Sequence, residues 1–232
     1  MVGSLTLTLV LAESSIELVP NEIVGHPSVR AHAVRKQKDP AELILDQSYH
    51  HAAILKLGHS AGRGRPDIAH FSLLTALGSP LNLDQKLRCF IHTRDDQAIT
   101  VDPSARLPRN TDRFTSLLEQ LYKEKVVPKM GTPLMSMKKQ AIQGLLRQLS
   151  ADLVVALTVN GSPKEMNAVA DELSQAKNPV LLVGGFPVGD FSPSTLRLSS
   201  RQYRIDRRLL EAWTVVGRAI YDYEKCIGLR RF

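Results

Sequence analysis

An apolar run that breaks into glycines constrains this chain more than any other stretch. Residues 181–183 are Leu-Leu-Val, which suits a short buried strand, and Gly184, Gly185 and Gly189 come soon after them. Glycines at the end of a buried strand indicate a sharp backbone turn or a close approach of the backbone to a ligand. The stretch therefore predicts either the mouth of a ligand site or a glycine-rich turn that binds nothing.

The spacing of these glycines excludes two common kinds of phosphate site. Gly184, Gly185 and Gly189 do not give the Gly-x-Gly-x-x-Gly spacing of a dinucleotide fingerprint. A phosphate-binding P-loop would need Lys and then Ser or Thr after Gly189, where this chain has Asp190 and Phe191. Because a carboxylate at that place would repel phosphate, a ligand of another kind is expected.

The surrounding pattern predicts an α/β fold with parallel strands. Strands at 152–159 and 180–183 flank a helix that we expect to start at Pro163 and to end at Ala176, and parallel pairing is the default for such a unit. A strand at 4–12, a helix at 26–36 and a strand at 42–46 predict a second unit near the N-terminus.

Other elements follow from the same periodicities. We predict helices at 49–57, 68–77, 112–124, 138–149 and 209–224, strands at 86–93, 98–102 and 203–205, and a linker at 127–133. At 232 residues the chain is long enough for one domain with a sizeable core.

The charge balance favours an acidic partner such as nucleic acid. Lys and Arg number 30 against 23 Asp and Glu, which gives a formal charge of +7. Arg106, Arg109 and Arg113 are three and four residues apart, so a helical first turn would place them on one face. Arg63 and Arg65 form a second cluster, and a third follows the glycine stretch at 197–208. The alternative for each cluster is a solvated charged face.

The sequence carries no positive sign of a metal, a nucleophile or a membrane segment. His50 and His51 are adjacent, and Cys89 and Cys226 belong to no Cys-x-x-Cys pair, so no metal is expected. No Gly-x-Ser-x-Gly elbow is present. The apolar run at 5–11 is too short to span a membrane and lacks the basic start of a signal peptide, so we expect a cytoplasmic protein without a membrane partner.

Two carboxylates occupy informative loops. Asp67 follows Arg65 at a predicted helix start, and Asp190 follows Gly189. Asp67 could contribute no more than favourable charge at a helix N-terminus.

Six runs of the sequence are informative when taken together. They are Glu17-Leu18-Val19-Pro20, Leu45-Asp46-Gln47-Ser48-Tyr49-His50-His51, Arg63-Gly64-Arg65-Pro66-Asp67-Ile68, Ser79-Pro80-Leu81-Asn82, Phe90-Ile91-His92-Thr93 and Arg106-Leu107-Pro108-Arg109. In combination, these runs resemble the small-subunit ribosomal RNA pseudouridine-N1 methyltransferases of the SPOUT class. The resemblance extends over nearly the whole chain and is weakest at 126–150. It implies one SPOUT-type α/β domain over 1–232, an RNA-binding part around 46–113 and a C-terminal trefoil knot around 152–225.

The resemblance also implies S-adenosylmethionine as cofactor. Its expected binding residues are Leu157, Thr158, Gly184, Gly185, Phe186, Gly189, Tyr203, Arg204, Ile205, Asp206, Arg207, Arg208 and Leu210. The expected RNA-binding residues are Arg63, Arg65, Arg106, Arg109 and Arg113. Where eukaryotic members have Tyr-Pro-Leu-Ser, this chain has Arg-Leu-Leu-Glu at 208–211, so side-chain contacts there do not transfer.

The implied reaction moves a methyl group to N1 of a pseudouridine, which must lose its proton. The expected catalytic residues are Asp67, Arg65 and Asp190, with Asp67 and Arg65 holding the extruded base by its Watson–Crick edge and Asp190 the alternative base. Small-subunit ribosomal RNA, a second copy of the chain and small-subunit ribosomal proteins are the expected partners. The alternatives are an RNA-binding ribosome-assembly factor without catalysis and an enzyme of the same class that methylates another base.

Overall fold

The computed structural model describes residues 6–128 and 130–229. The helices are α1 (Pro27–Lys36), α2 (Gln47–Ile54), α3 (Pro66–Leu77), α4 (Pro80–Leu83), α5 (Thr111–Glu124), α6 (Ile142–Gln148), α7 (Met166–Gln175), α8 (Pro193–Leu196) and α9 (Ala212–Cys226). The strands are β1 (Leu7–Ser14), β2 (Leu87–Thr93), β3 (Gln97–Val101), β4 (Val126–Val127), β5 (Met135–Lys139), β6 (Leu153–Pro163), β7 (Pro179–Gly184) and β8 (Arg201–Arg204).

One mixed sheet contains all of these strands. Its order is β4-β5-β3-β2-β1-β7-β6-β8. The five strands β2, β1, β7, β6 and β8 pair in parallel with their neighbours. Beyond β2, the strands β3, β5 and β4 continue the sheet in antiparallel pairing. The parallel part places the carboxyl ends of β1, β7 and β6 at the same edge, which is where ligands bind in open α/β sheets.

Helices cover both faces of this sheet, so the central strands are apolar throughout. Leu7, Leu9 and Leu11 of β1 pack in a cluster with α3, α5, α7 and α9. Val10 and Ala12 point to the other face, where α6 and Phe191 cover them. This alternation is the two-residue period of a strand that is buried on both faces.

The predicted parallel unit at 152–183 is confirmed, because β6 and β7 pair in parallel with Leu157 opposite Val183. Its helix does not start at Pro163. That proline is the last residue of β6, and α7 begins at Met166. The predicted strand at 203–205 is present as β8, paired with β6.

The predicted N-terminal unit is confirmed in its first strand, β1, and its helix, α1, and is wrong in its second strand. Residues 42–46 form no strand: a 3-10 turn at Pro40–Glu42 is followed by one antiparallel bridge between Leu18 and Ile44. Leu43 and Leu45 are buried against Val29 and Ala53 in a separate small core under α1 and α2. The apolar residues that suggested a strand therefore serve packing, and β1 takes its parallel neighbours from β2 and β7.

The segment between α5 and α6 also differs from the prediction. Residues 135–139 were expected partly in a helix, and they form β5, which pairs with β3 from Gln97 opposite Lys139 to Val101 opposite Met135. Long-range pairing outweighs local preference here. The helix begins only at Ile142, and the expected linker at 127–133 includes the end of β4.

Candidate functional site

A cavity lies at the carboxyl ends of β6 and β7. It is lined by Leu157 and Thr158 from β6, by Val183 and the glycine stretch after β7, and by residues 203–206 from the end of β8. All of the predicted cofactor residues line it except Gly185 and Arg207. Three segments distant in sequence therefore form one site, as the resemblance implied.

Gly185 has a packing role in place of the predicted ligand contact. A Cβ atom at this position would lie 2.1 Å from Ser14 Oγ and 2.8 Å from Ser14 Cα. The Gly185 N–H donates to the Ala12 carbonyl and its own carbonyl accepts from the Ser15 N–H, each over 2.9 Å. Glycine is needed here because β1 passes too close for a side chain.

Arg207 points to a different surface. It lines an open polar groove with Lys164, Arg218 and Lys225, and this groove shares residues 204–206 with the cavity. The guanidinium of Arg208, by contrast, lines the cavity and pairs with Asp206 over 3.1 Å. The arginine concentration after the glycine stretch is thus divided between two surfaces.

Asp190 lines the cavity and is held by three donors. Thr158 Oγ1 donates to its Oδ2 over 2.5 Å, Asn160 Nδ2 donates to the same oxygen over 2.8 Å, and the Phe191 N–H donates to Oδ1 over 2.8 Å. These three bonds hold the Asp190 carboxylate in place in the cavity wall, at the end of the glycine stretch.

The glycines beside Asp190 have different reasons to be glycine. Gly189 has a φ of +92°, a conformation that side chains rarely adopt, although nothing lies near its missing Cβ. A Cβ on Gly184 would lie 2.7 Å from the ring of Phe186, which also packs edge-on against Phe191. The turn is therefore fixed by backbone geometry at one glycine and by an aromatic ring at the other.

The β8 side of the cavity is fixed by charge pairs. Tyr203 Oη donates to Glu172 Oε2 over 2.9 Å, and Lys164 Nζ donates to the same oxygen over 2.5 Å and lies 4.4 Å from the Tyr203 ring centre. Arg201 pairs with the other oxygen of Glu172. On β6, a Cβ on Gly161 would lie 2.6 Å from the Tyr203 carbonyl carbon, so glycine permits this approach of the two strands.

Arg65 and Asp67 form a bidentate pair at the start of α3. Arg65 Nε and Nη2 donate to the two carboxylate oxygens of Asp67, each over 2.8 Å. Hydrogen bonding to Asp67 raises the pKa of Arg65, and the charges of Asp67, Glu211 and Asp46 act in the same direction. Ile68, the next residue of α3, lines the cavity. The pair therefore lies at the rim of the cofactor cavity.

Arg63, which was predicted to bind RNA, has a partner within the protein. Its Nε and Nη2 donate to the two oxygens of Glu17 over 2.9 and 2.5 Å, and both side chains are largely buried. Gly64, with a φ of +66°, separates Arg63 from Arg65, so the two guanidinium groups have different environments. Arg63 ties the loop to the segment after β1.

The predicted helical face for Arg106, Arg109 and Arg113 is wrong, although all three side chains are exposed. Arg106 and Arg109 lie in a loop without regular structure, and only Arg113 is in α5, which begins at Thr111. The loop is anchored by His70, whose Nε2 donates to the Pro108 carbonyl over 2.6 Å. The arginines therefore follow an anchored loop that leads into a helix.

The histidines take structural roles. The Asp46 N–H donates to His50 Nδ1 over 3.1 Å, so His50 Nε2 carries the proton and donates to His32 Nδ1 over 2.9 Å. Among the described residues no group of His, Cys, Asp and Glu could hold a metal ion. In the same part of the chain no helix has the length and apolarity to cross a bilayer.

Sequence reasoning missed several residues of the site. Asn160 holds Asp190, and Glu13 accepts from the N–H and hydroxyl of Ser192, directly after the cavity loop. Ile68 and Glu211 line the cavity from α3 and from the start of α9. The Asn-Gly pair at 160–161, after an apolar run, was a usable signal for Asn160. Glu13, Ile68 and Glu211 come to the site through contacts between distant segments, which no local pattern shows.

The architecture defines an α/β protein with a ligand cavity at the carboxyl ends of parallel strands and an arginine-bearing helix start beside it. A family model described as EMG1/NEP1 methyltransferase matches residues 9–224, so the chain belongs to this family. The chain is 43% identical to the ribosomal RNA small subunit methyltransferase Nep1 of Pyrococcus furiosus over 94% of its own length and 96% of that protein.

Two further similarities agree with this assignment. The Nep1 of Thermococcus kodakarensis is 41% identical, over 96% of this chain and 100% of that protein. The crystal structure of Archaeoglobus fulgidus Nep1 bound to S-adenosylhomocysteine is similar with a TM-score of 0.85, 33% identity and coverage of 95% of this chain and 98% of that one. At this identity both fold and family are shared.

Proposed function

We propose that the protein methylates a pseudouridine of small-subunit ribosomal RNA at N1, with S-adenosylmethionine as the methyl donor, during assembly of the small subunit. The observation that carries this proposal is the position of α3. The Arg65–Asp67 pair opens this helix, and Ile68 directly after it lines the cavity. A base held by the pair would lie at the rim of the donor site.

The cavity suits S-adenosylmethionine. When bound, this cofactor supplies a methyl group carried on a sulfonium cation. Leu157, Val183 and Ile205 offer apolar surface for an adenine ring, and the backbone at Gly189 is open to close approach. Asp190 supplies a negative charge that would repel a phosphate and attract a sulfonium. The family also includes a structure with the demethylated cofactor.

The Arg65–Asp67 pair has capacity left for a base. The pair uses Nε and Nη2 of Arg65, so Nη1 is free to donate to a base carbonyl. Each Asp67 oxygen accepts one bond from Arg65 and retains a lone pair for the imide N–H of a uracil ring. Together the two residues match the donor and acceptor order of the Watson–Crick edge of pseudouridine.

The exposed arginines Arg106, Arg109 and Arg113 would bind the RNA backbone around the extruded base. We assign this role to them and not to Arg63, which Glu17 occupies. We further propose a homodimer with RNA across both subunits. Exposed Val188 and Leu209 beside the cavity are apolar surface that a second subunit could cover.

One experiment tests the reaction. The protein is incubated with methyl-labelled S-adenosylmethionine and with matched hairpins that carry pseudouridine or uridine at one loop position, and the products are analysed by mass spectrometry. We expect label on the pseudouridine hairpin alone. Label on another base would show that the substrate is that base and not pseudouridine. No label, together with tight hairpin binding, would favour an assembly factor without catalysis. Calorimetry with S-adenosylmethionine separates the last case, because an assembly factor with a vestigial site would not bind it.

A further inference from the structure

Four carboxylates lie in the cavity wall or in the Arg65–Asp67 pair beside it, and they differ in their hydrogen bonds. Asp67 is paired with Arg65, Asp206 is paired with Arg208 and Arg218, and Asp190 accepts bonds from Thr158, Asn160 and the Phe191 N–H. The fourth is Glu211, which lines the cavity and is exposed. Within residues 6–128 and 130–229 no group donates to the Glu211 carboxylate.

The backbone aims Glu211 at this junction. Glu211 is the N-cap residue of α9, and its carbonyl accepts from the N–H groups of Thr214 and Val215, so the main chain is fixed. Its side chain makes no capping bond and remains available. It lines the cavity together with Ile68, the residue that follows Asp67, and its negative charge helps to raise the pKa of Arg65, so Glu211 lies near the base-holding pair.

A free acceptor at this place has a chemical use. Pseudouridine differs from uridine by an N1–H where uridine has a C–H, so an acceptor beside that edge distinguishes the two bases. Asp67 is already engaged by Arg65, and Asp190 already accepts three hydrogen bonds from the protein, so both have less capacity left for the N1–H. Glu211 lacks such donors and can both accept the hydrogen bond and take the proton.

We propose that the Glu211 carboxylate accepts the N1–H of the target pseudouridine, first as a hydrogen bond and then as a proton, and thereby makes the site specific for this base. The proposal rests on the function proposed above. In the step, the N1–H bond breaks and its electron pair forms the bond to the transferred methyl carbon, while the pair of the old carbon–sulfur bond leaves with sulfur. Glu211 becomes a neutral acid and releases its proton to water.

The chain supplies a matched control. Glu165 is the N-cap of α7, with φ and ψ of −65° and 141° against −63° and 140° for Glu211, and it also makes no capping side-chain bond. It lies in the other groove and not in the cavity. If removal of a negative charge from a helix N-terminus were enough to change hairpin binding, Glu165→Ala and Glu211→Ala would therefore change it alike.

The first test is binding, measured by fluorescence anisotropy with S-adenosylhomocysteine present so that no reaction occurs. The probes are three hairpins that carry pseudouridine, uridine or N1-methylpseudouridine at the same loop position. We expect the unaltered protein to bind the pseudouridine hairpin about tenfold more tightly than either other hairpin, as for one hydrogen bond to a charged group. Glu211→Ala should reduce this ratio to about one, whereas Glu165→Ala should keep it.

The second test is the methyl-transfer rate in a single turnover. Glu211→Gln keeps size and a weak acceptor but cannot take the proton, and we expect a loss of about a hundredfold. S-adenosylhomocysteine affinity should stay within about twofold, which also shows that the cavity is intact. A binding ratio that survives in Glu211→Ala, or an unaltered protein that binds all three hairpins equally, overturns the proposal. If the unaltered protein still methylates pseudouridine in that case, the proposed function stands without this role for Glu211.

Discussion

Thr158 Oγ1 donates a 2.5 Å hydrogen bond to Oδ2 of Asp190 and so joins β6, just after its last pair with β7, to the loop that follows β7. The two residues are far apart in sequence, yet the parallel pairing of their strands brings their carboxyl ends together. Thr158 is itself buried, so the bond is shielded from water. It fixes a negative charge in the wall of the cavity.

This charge predicts a preference for the sulfonium form of the cofactor. In Asp190→Asn we expect the affinity for S-adenosylmethionine to fall about five to ten times more than the affinity for neutral S-adenosylhomocysteine, because a single short-range charge interaction is lost. Calorimetry with both ligands measures the difference. Asp171→Asn, on the outer surface of α7, is the control. An equal loss for both ligands would show that Asp190 acts only through the shape of the loop.

The exposed arginines predict an electrostatic effect on RNA. Arg106→Ala and Arg109→Ala should each weaken binding of a ribosomal RNA hairpin by roughly 1–3 kcal/mol and reduce the slope of affinity against salt. Arg147→Ala removes an equal charge from α6, on the opposite face of the sheet, and should change neither. Titrations at several salt concentrations decide this, and an unchanged slope in the first two variants would count against the loop as an RNA surface.

Arg63 predicts the opposite pattern. Its removal would leave the largely buried Glu17 without a partner, so Arg63→Ala should lower the free energy of unfolding by about 1–3 kcal/mol. The salt slope of RNA binding should not change. Urea denaturation and the same titrations measure the two quantities. A stable variant with a reduced slope would restore Arg63 to the RNA-binding residues.

Gly185 predicts a steric cost. Because a new Cβ would collide with the backbone and side chain of Ser14, Gly185→Ala should lower the free energy of unfolding by about 1–3 kcal/mol. Gly25→Ala is the control, since its Cβ would meet only the flexible end of Arg30 at 3.7 Å. Denaturation of both variants tests the contrast. Loss of cofactor binding in Gly185→Ala without loss of stability would point to a ligand contact after all.

The buried histidine pair predicts a loss of stability in acid. Burial, with a smaller effect of neighbouring His32, lowers the pKa of His50 to about 4 from its usual 6.5. Between pH 6.5 and pH 4 the unfolded chain therefore binds a proton at this histidine that the folded chain does not bind. The free energy of unfolding has its full value above pH 6.5 and decreases as the pH falls towards 4. The difference between the two pKa values corresponds to a loss of roughly 3 kcal/mol. His50→Gln should show a correspondingly smaller fall than the unaltered protein or His51→Gln, measured by denaturation from pH 7 to pH 4.

Local pattern was sufficient for the elements that build one half of the cavity. The alternation at 152–159 and the apolar run at 180–183 predicted β6 and β7, because such strands are specified by their own burial. The glycines after β7 predicted a sharp backbone turn, and the positive φ of Gly189 agrees with that prediction. The Ser-Pro pairs at 79–80 and 192–193 were overlooked signals for the short helices α4 and α8.

The remaining errors share one physical cause. Residues 42–46 and 135–139 have weak local preferences, so their state is decided by contacts with residues far along the chain. The wall from residues 203–211 likewise depends on β8 returning beside β6. No spacing could show that Glu172 and Lys164 fix Tyr203 or that Asn160 holds Asp190. The resemblance supplied this part of the site because it carries a three-dimensional arrangement with it.

The start of α3 borders two sites at once, since Arg65 and Asp67 are the residues proposed to hold the base while Ile68 lines the cavity. Recognition and chemistry are therefore not separable modules. A fusion or graft that exchanged the RNA-recognition part for another would also rebuild a wall of the donor pocket. New specificity in such a chain has to arise by point changes around α3, whereas the antiparallel strands β3, β5 and β4 lie at the edge of the sheet opposite β6 and β8.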